Sequence, residues 1–281
     1  MLFPWKKQSP DTRRKSCSTS DEDPPEHSEW TRWLAPIALI LLTAALIPVR
    51  TNNVFLFSLI NGYHAPLTDE LWLCFTTLGD GLLLGVLLGA FLIVNPRVTV
   101  LGIALLVLSS ALVHVLKGML PLPRPVVVLS TVHVVGPLLK SGSFPSGHAA
   151  AAMSAGLAIA HFSPSRKAAA VALGMAVLVS LSRVFVAAHF PMDVLGGVIC
   201  SVLLYVLIGN ALWPRIEKFI PDRPRFWSTS FRIALGAEFA AVLFAVTVYA
   251  ARFAESPPFA VTLGIGILLF LLFGLRQAGA Q

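Results

Sequence analysis

Charge is scarce in this chain. Asp, Glu, Lys and Arg make up 12% of its 281 residues, against about 25% in an ordinary soluble domain, and that excludes a soluble globular protein. Cysteine is also scarce. Cys17, Cys74 and Cys200 are too few and too scattered for a disulfide framework or a zinc cluster. No HExxH sequence and no paired Cys/His spacing occurs, so a resident metal finds no ready ligand set. Within the first 32 residues no short apolar core follows the basic positions, so no cleaved signal peptide is expected and the first span itself is expected to direct insertion.

What the chain has instead is hydrophobicity, 56% of residues with a mean hydropathy of +0.78. A membrane-crossing helix needs roughly 17 to 25 apolar residues. Runs approaching or reaching that length recur at about 33–50, 81–95, 98–116, 147–162, 168–187, 192–212, 231–250 and 258–275. The expectation is an all-α integral membrane protein of about eight transmembrane helices. Its parts are a tail at 1–32, a six-span core at 33–212, a linker at 213–230 and a two-span extension at 231–281. The tail is charged, rich in Pro and Ser and poor in aliphatic residues, the composition of disorder.

The net charge of +7 could suggest a nucleic-acid partner, but its distribution argues for topology. With the tail in the cytoplasm and eight alternating spans, the inner face takes six tail cations, Arg97, Arg166 with Lys167, five from Arg215 to Arg232, and Arg276. That is fifteen of the 21 Lys and Arg, the positive-inside pattern. Arg50 and Arg252, on the other face, are read as snorkelling side chains. Lys117, Arg124, Lys140 and Arg183 cluster near the ends of the third to fifth spans, where cations need another reason.

Three stretches meet on that outer face. In HVLKGMLPLPRPVVV, three prolines fix an extended loop that holds Arg124 seven residues after Lys117. In KSGSFPSGHAAAA, Pro145 suits a helix start and Gly147 permits close backbone approach. A helix beginning there presents N–H groups and a positive dipole end to an anion, with Ser146 as a further donor and His148 in the first turn. In SRVFVAAHFPMD, Pro191 restarts a helix with Asp193 in its first turn, within reach of His189. A carboxylate so placed fixes an imidazole tautomer and leaves the other ring nitrogen for nucleophilic or base chemistry. Three cations, a helix N-terminus and two histidines suit a phosphoryl group. The same concentration of positive charge disfavours a divalent metal.

Lys117-x6-Arg124-Pro125, Pro145-Ser146-Gly147-His148 and Ser182-Arg183-x5-His189-x3-Asp193 together resemble the three signature motifs of the type 2 phosphatidic acid phosphatase family. That family also contains bacterial undecaprenyl-diphosphatases and shares its site with vanadium haloperoxidases. The resemblance implies that His189 attacks phosphorus, that Asp193 orients it, and that His148 protonates the leaving oxygen and later activates water. Lys117, Arg124, Ser146, Gly147 and Arg183 would hold phosphoryl oxygens, with no metal or other cofactor. It makes the core at 33–212 a phosphatase core. The implied protein is a bacterial cytoplasmic-membrane lipid phosphatase with its site on the outer face, acting on a lipid phosphate among membrane lipids and not on nucleic acid. Undecaprenyl diphosphate is the leading substrate; phosphatidylglycerophosphate, phosphatidic acid and lipid A carry the same phosphoryl group. A phosphotransferase to another lipid, a haloperoxidase, and a lipid transporter or scaffold are the alternatives.

Other residues have plainer readings. His64, His114, His133 and His161 are expected at the interface, and Lys140 is a solvated loop charge. Gly81, Gly85 and Gly89 form a small-xxx-small series for helix packing. Asp80 is a helix cap or the lip of the site. Glu238, an acid inside the seventh span, is a functional candidate by position, although its place near the span end favours snorkelling or helix pairing.

Overall fold

The computed structural model describes residues 27–163, 165–221, 228–252 and 257–278. Residues 1–26, which include Cys17, and 222–227 of the expected linker lie outside the described residues, as does the side chain of Arg252. All regular elements among the described residues are helices, as lipid requires of backbone groups that must be satisfied within their own segment. In chain order they are α1 (His27–Thr51), α2 (Asn53–Asn61), α3 (Pro66–Leu78), α4 (Gly81–Ala90), α5 (Pro96–Met119), α6 (Pro125–Val128), α7 (Gly147–His161), α8 (Arg166–Phe185), α9 (Pro191–Leu204), α10 (Trp213–Ile216), α11 (Thr229–Arg252) and α12 (Pro257–Ala278). A π-helical stretch, Tyr205–Leu212, joins α9 to α10, giving one span of 29 residues from Pro191 to Phe219.

The all-helical membrane architecture is the expected one. Among the described residues five helices are long and apolar enough to cross a membrane, and the pair α3 and α4, bent by 65°, supplies a sixth crossing when counted as one span. Length and composition do not confirm the count of eight among the described residues, since α7 has 15 residues and α12 is described as an apolar stretch only over Val261–Leu272. The bend falls at Gly79-Asp80. A Cβ on Gly79 would lie 2.6 Å from Val179 and 3.2 Å from His148, so only glycine lets the bend rest against α7 and α8. Asp80 then opens α4 by accepting from the Leu82 N–H at 2.8 Å and the Leu83 N–H at 3.4 Å.

α7 lies at the centre of the bundle, with Ala149 to Ala152, Ala155 and Ala158 all buried. Short side chains allow α5, α8 and α9 to close around it. Polar glue runs through the same layer: the Ser154 hydroxyl lies within bonding distance of Ser109 at 3.0 Å and Ser201 at 3.1 Å, sharing its one proton between them, and Ser201 donates to the Ala150 carbonyl at 2.6 Å. At the end of α7, a Cβ on Gly197 would meet the Ser146 carbonyl at 2.3 Å. Glycine there lets α9 touch the turn that precedes α7. The C-terminal end of α7 corrects one expectation. His161 is buried rather than interfacial, bonded through Nδ1 to the Tyr205 hydroxyl at 2.7 Å.

α11 packs on α4 through Leu83, Val86 and Ala90 on one side and Phe231, Leu235 and Val242 on the other. In that seam lies Glu238, 9% exposed, with Oε1 buried and without a hydrogen-bond partner among the described residues. A Cβ on Gly89 would fall 1.8 Å from its Oε2. Of the glycine series, then, only Gly89 makes a close approach; Gly85 has ordinary contact and Gly81 faces open space. Gly89→Ala is expected to lose about 1–3 kcal/mol through overpacking, visible as a lower thermal midpoint in detergent. Adding Glu238→Ala should recover part of that loss, because it removes the atom the new methyl strikes.

Candidate active site

The three motif stretches meet at one end of the bundle. The proline-rich loop after α5 carries Arg124, whose guanidinium ties that loop to the other two. Its Nε donates to the Ser141 carbonyl at 2.8 Å, NH2 to the Gly142 carbonyl at 3.3 Å, and NH1 to the Ala188 carbonyl at 2.7 Å. Lys117, in the last turn of α5, donates to the Gly142 carbonyl. Arg183, in the last turn of α8, donates through NH1 to the Thr76 hydroxyl of α3. Its Nε is buried with no hydrogen-bond partner among the described residues. An orphan donor of this kind costs about 1–3 kcal/mol, a cost that an anion's oxygen would remove.

The turn before α9 is shaped by Ala187, a non-glycine residue at φ 60°, a conformation costing on the order of 1 kcal/mol. That reversal lets the Ala188 and His189 N–H groups both reach the Arg183 carbonyl, at 3.0 and 3.1 Å. His189 is 2% exposed, with Nε2 lying 3.3 Å from Arg124 NH1. A guanidinium only donates, so Nε2 is the acceptor and carries the lone pair, while Nδ1 carries the proton. Nδ1 points toward Asp193 Oδ2 at 3.7 Å, longer than a hydrogen bond.

Asp193 is held by partners of its own. Oδ2 accepts from the Phe190 N–H at 2.9 Å and from the Ser143 hydroxyl at 2.5 Å. Ser143, fully buried, is a residue the sequence alone does not single out, because Ser141, Ser143 and Ser146 look alike in SGSFPSGH. Ser146 is the N-cap of α7, accepting from the Ala149 N–H at 3.4 Å, and its own N–H donates to the Asp193 carbonyl at 2.9 Å. The hydroxyl proton is left to donate elsewhere. At Gly147 a Cβ would meet only Val113, at 3.8 Å; protein packing therefore does not demand a glycine there, which fits a position kept clear for a ligand.

All eight expected residues, Lys117, Arg124, Ser146, Gly147, His148, Arg183, His189 and Asp193, thus sit on these converging segments. Other expectations resolve separately. Arg50 and Lys140 are exposed, and Cys74 and Cys200 are free thiols. His133 bonds Asp69 at 2.8 Å and stacks on His64 with ring centroids 4.1 Å apart. Asn61, also unmarked in the sequence, ties the loop at His133 to the end of α8 by donating to the carbonyls of His133 and Phe185, both at 2.8 Å.

Residues 97–217, which hold all of these motifs, match the PAP2 superfamily. The chain belongs to that superfamily. Among solved PAP2 structures, that of Aquifex aeolicus LpxE superposes with a TM-score of 0.51 at 31% identity, covering 55% of this chain and 93% of LpxE. Undecaprenyl-diphosphatase BcrC of Bacillus subtilis (strain 168) is 31% identical over 101 residues, 35% of this chain. The match spans 51% of BcrC, about half its length. α11 and α12 lie beyond the stretch that the PAP2 superfamily accounts for.

Burial, followed by the nearby cations Arg183, Arg124 and Lys117, holds the His189 imidazole well below its ordinary value of 6.5. The folded protein therefore keeps His189 neutral where an unfolded chain would begin to protonate it. Stability tied to this group is present above pH 6.5 and is lost on acidification, as the unfolded state takes up the extra proton. Between pH 7.5 and 5.5 the wild type should lose more thermal stability than His189→Gln, by up to about 1.4 kcal/mol per pH unit below 6.5. Parallel melting curves of the two proteins in detergent check this.

Proposed function

We propose that this protein is a lipid phosphate phosphatase working through a phosphohistidine on His189. The observation that carries the reading is the Nε2 lone pair of a buried, neutral His189 held beside the guanidinium of Arg124. In this reading Lys117, Arg124, Arg183 and the N-terminus of α7, with Ser146 and Gly147, hold the phosphoryl oxygens. Nε2 forms a bond to phosphorus while the bond to the lipid oxygen breaks, and His148 gives that oxygen a proton. His148 then takes a proton from water, the hydroxide attacks phosphorus, and the N–P bond breaks to release phosphate and restore His189. Asp193, oriented by Ser143 and the Phe190 N–H, faces Nδ1 at 3.7 Å and balances the positive charge that forms on the ring. These steps use this chain's own side chains throughout.

Undecaprenyl diphosphate is the first substrate to try, on the strength of the similarity to BcrC. A lipid phosphate monoester is the second reading, favoured by the polar cavity beside His148 described below. A multi-pass protein with its site at one end of the bundle suits a bacterial cytoplasmic membrane, with the site on the outer face, the N-terminus inside and lipid arriving laterally. The test is phosphate release by purified protein from each lipid without an acceptor. Release supports hydrolysis, whereas release that depends on an added acceptor lipid replaces it with phosphotransfer.

A further inference from the structure

Beside His148 is a cavity of 160 Å³. Its polar walls are Thr76, Thr77 and Asp80 from the α3–α4 bend, His148 and Arg183 from the core, and Tyr249 from α11. Among the described residues His189 is not part of this lining. In an in-line displacement the leaving group departs opposite the nucleophile, on the side of the residue that protonates it. A cavity that touches His148 and not His189 is therefore on the leaving-group side. We propose that it is the subsite for the part of the lipid headgroup beyond the scissile bond, and that Asp80 and Tyr249 select what that part carries. This rests on the lipid phosphatase reading.

Two features decide the chemistry of the selection. Asp80 brings a carboxylate to a cavity whose cation, Arg183, is bonded to Thr76 through one nitrogen and in the proposed mechanism gives its Nε, unpartnered among the described residues, to the scissile phosphoryl group. A second phosphate placed there meets that negative charge, while sugar or glycerol hydroxyls find a carboxylate, two threonine hydroxyls and a phenol to bond. The cavity thus favours a hydroxylated headgroup over a diphosphate. Tyr249 reaches the site because α11 is seated on α4. Glu238, in the notch at Gly89, and Tyr249 are eleven residues apart, about three helical turns and hence on one face. The C-terminal extension is in this way a wall of the reaction chamber as well as a neighbour of the core.

The probes are undecaprenyl diphosphate and phosphatidylglycerophosphate in detergent micelles, with kcat/KM measured for each. Asp80→Asn removes the charge and keeps a good helix cap; it should raise the diphosphate-to-glycerophosphate ratio of kcat/KM by about tenfold. Tyr249→Phe keeps the ring and removes the hydroxyl; it should lower kcat/KM several-fold more for the glycerol headgroup than for the diphosphate. Thermal melting establishes that both variants fold. Ratios unchanged in both variants overturn the subsite and leave the phosphatase reading intact. Failure of the wild type to release phosphate from either lipid overturns both.

Discussion

Replacing His189 by alanine is expected to lower turnover by about 10³-fold or more while the protein stays folded. The imidazole is the group with a lone pair held beside Arg124, and no neighbouring side chain on its turn can replace it. The fold should tolerate the change because what pins this turn is main chain: the Ala188 carbonyl accepts from Arg124, and the Ala188 and His189 N–H groups reach the Arg183 carbonyl. None of those bonds needs the imidazole. Phosphate release at saturating lipid measures the loss. Brief incubation with radiolabelled lipid phosphate should also leave an acid-labile, alkali-stable label on the wild type and none on His189→Ala. Retained turnover, or a label that survives in the variant, would end the phosphohistidine mechanism.

Arg124→Ala should reduce kcat/KM by about 10²- to 10³-fold, the range for removing one fixed donor of transition-state charge. The guanidinium has two tasks that separate by substitution. In the proposed mechanism it carries charge toward the phosphoryl group, and it braces the segment carrying Ser141 and Gly142 against Ala188 through bonds leaving in different directions. Lysine supplies the charge but not the planar fork, so Arg124→Lys should recover little. Recovery to within about threefold of wild type would mean that charge alone matters, and that the bracing bonds are incidental to the rate.

Much of the candidate site was legible because its chemistry is written in short segments. A helix start with Pro145, Ser146 and Gly147 is a local event, and so is the four-residue step from His189 to Asp193. Each produces a recognisable spacing, and each histidine sits within one turn of the residues that define its motif. The residues that brace those groups leave no such trace. Ser143 lies fifty positions from Asp193 and Thr76 more than a hundred from Arg183, and serine and threonine are common enough to carry no signal at that separation. His161 was misplaced for a related reason: a histidine near a span end looks interfacial until Tyr205, on another helix, is brought against it.

The sequence by itself determined that the chain lives in lipid and marked the three segments whose motifs resemble those of the PAP2 superfamily. Hydropathy and motif spacing both depend on residues a few turns apart at most. Only the tertiary structure decided how the crossings are made, with a 65° bend at Gly79-Asp80 where hydropathy predicts a plain helix start. It also decided that Asp80 is cap and cavity wall together, and that α11 reaches the site through Tyr249. These outcomes depend on how closely two backbones approach. That distance is set by single atoms, such as the missing Cβ of Gly89 under Glu238, whose partners are chosen when the helices pack.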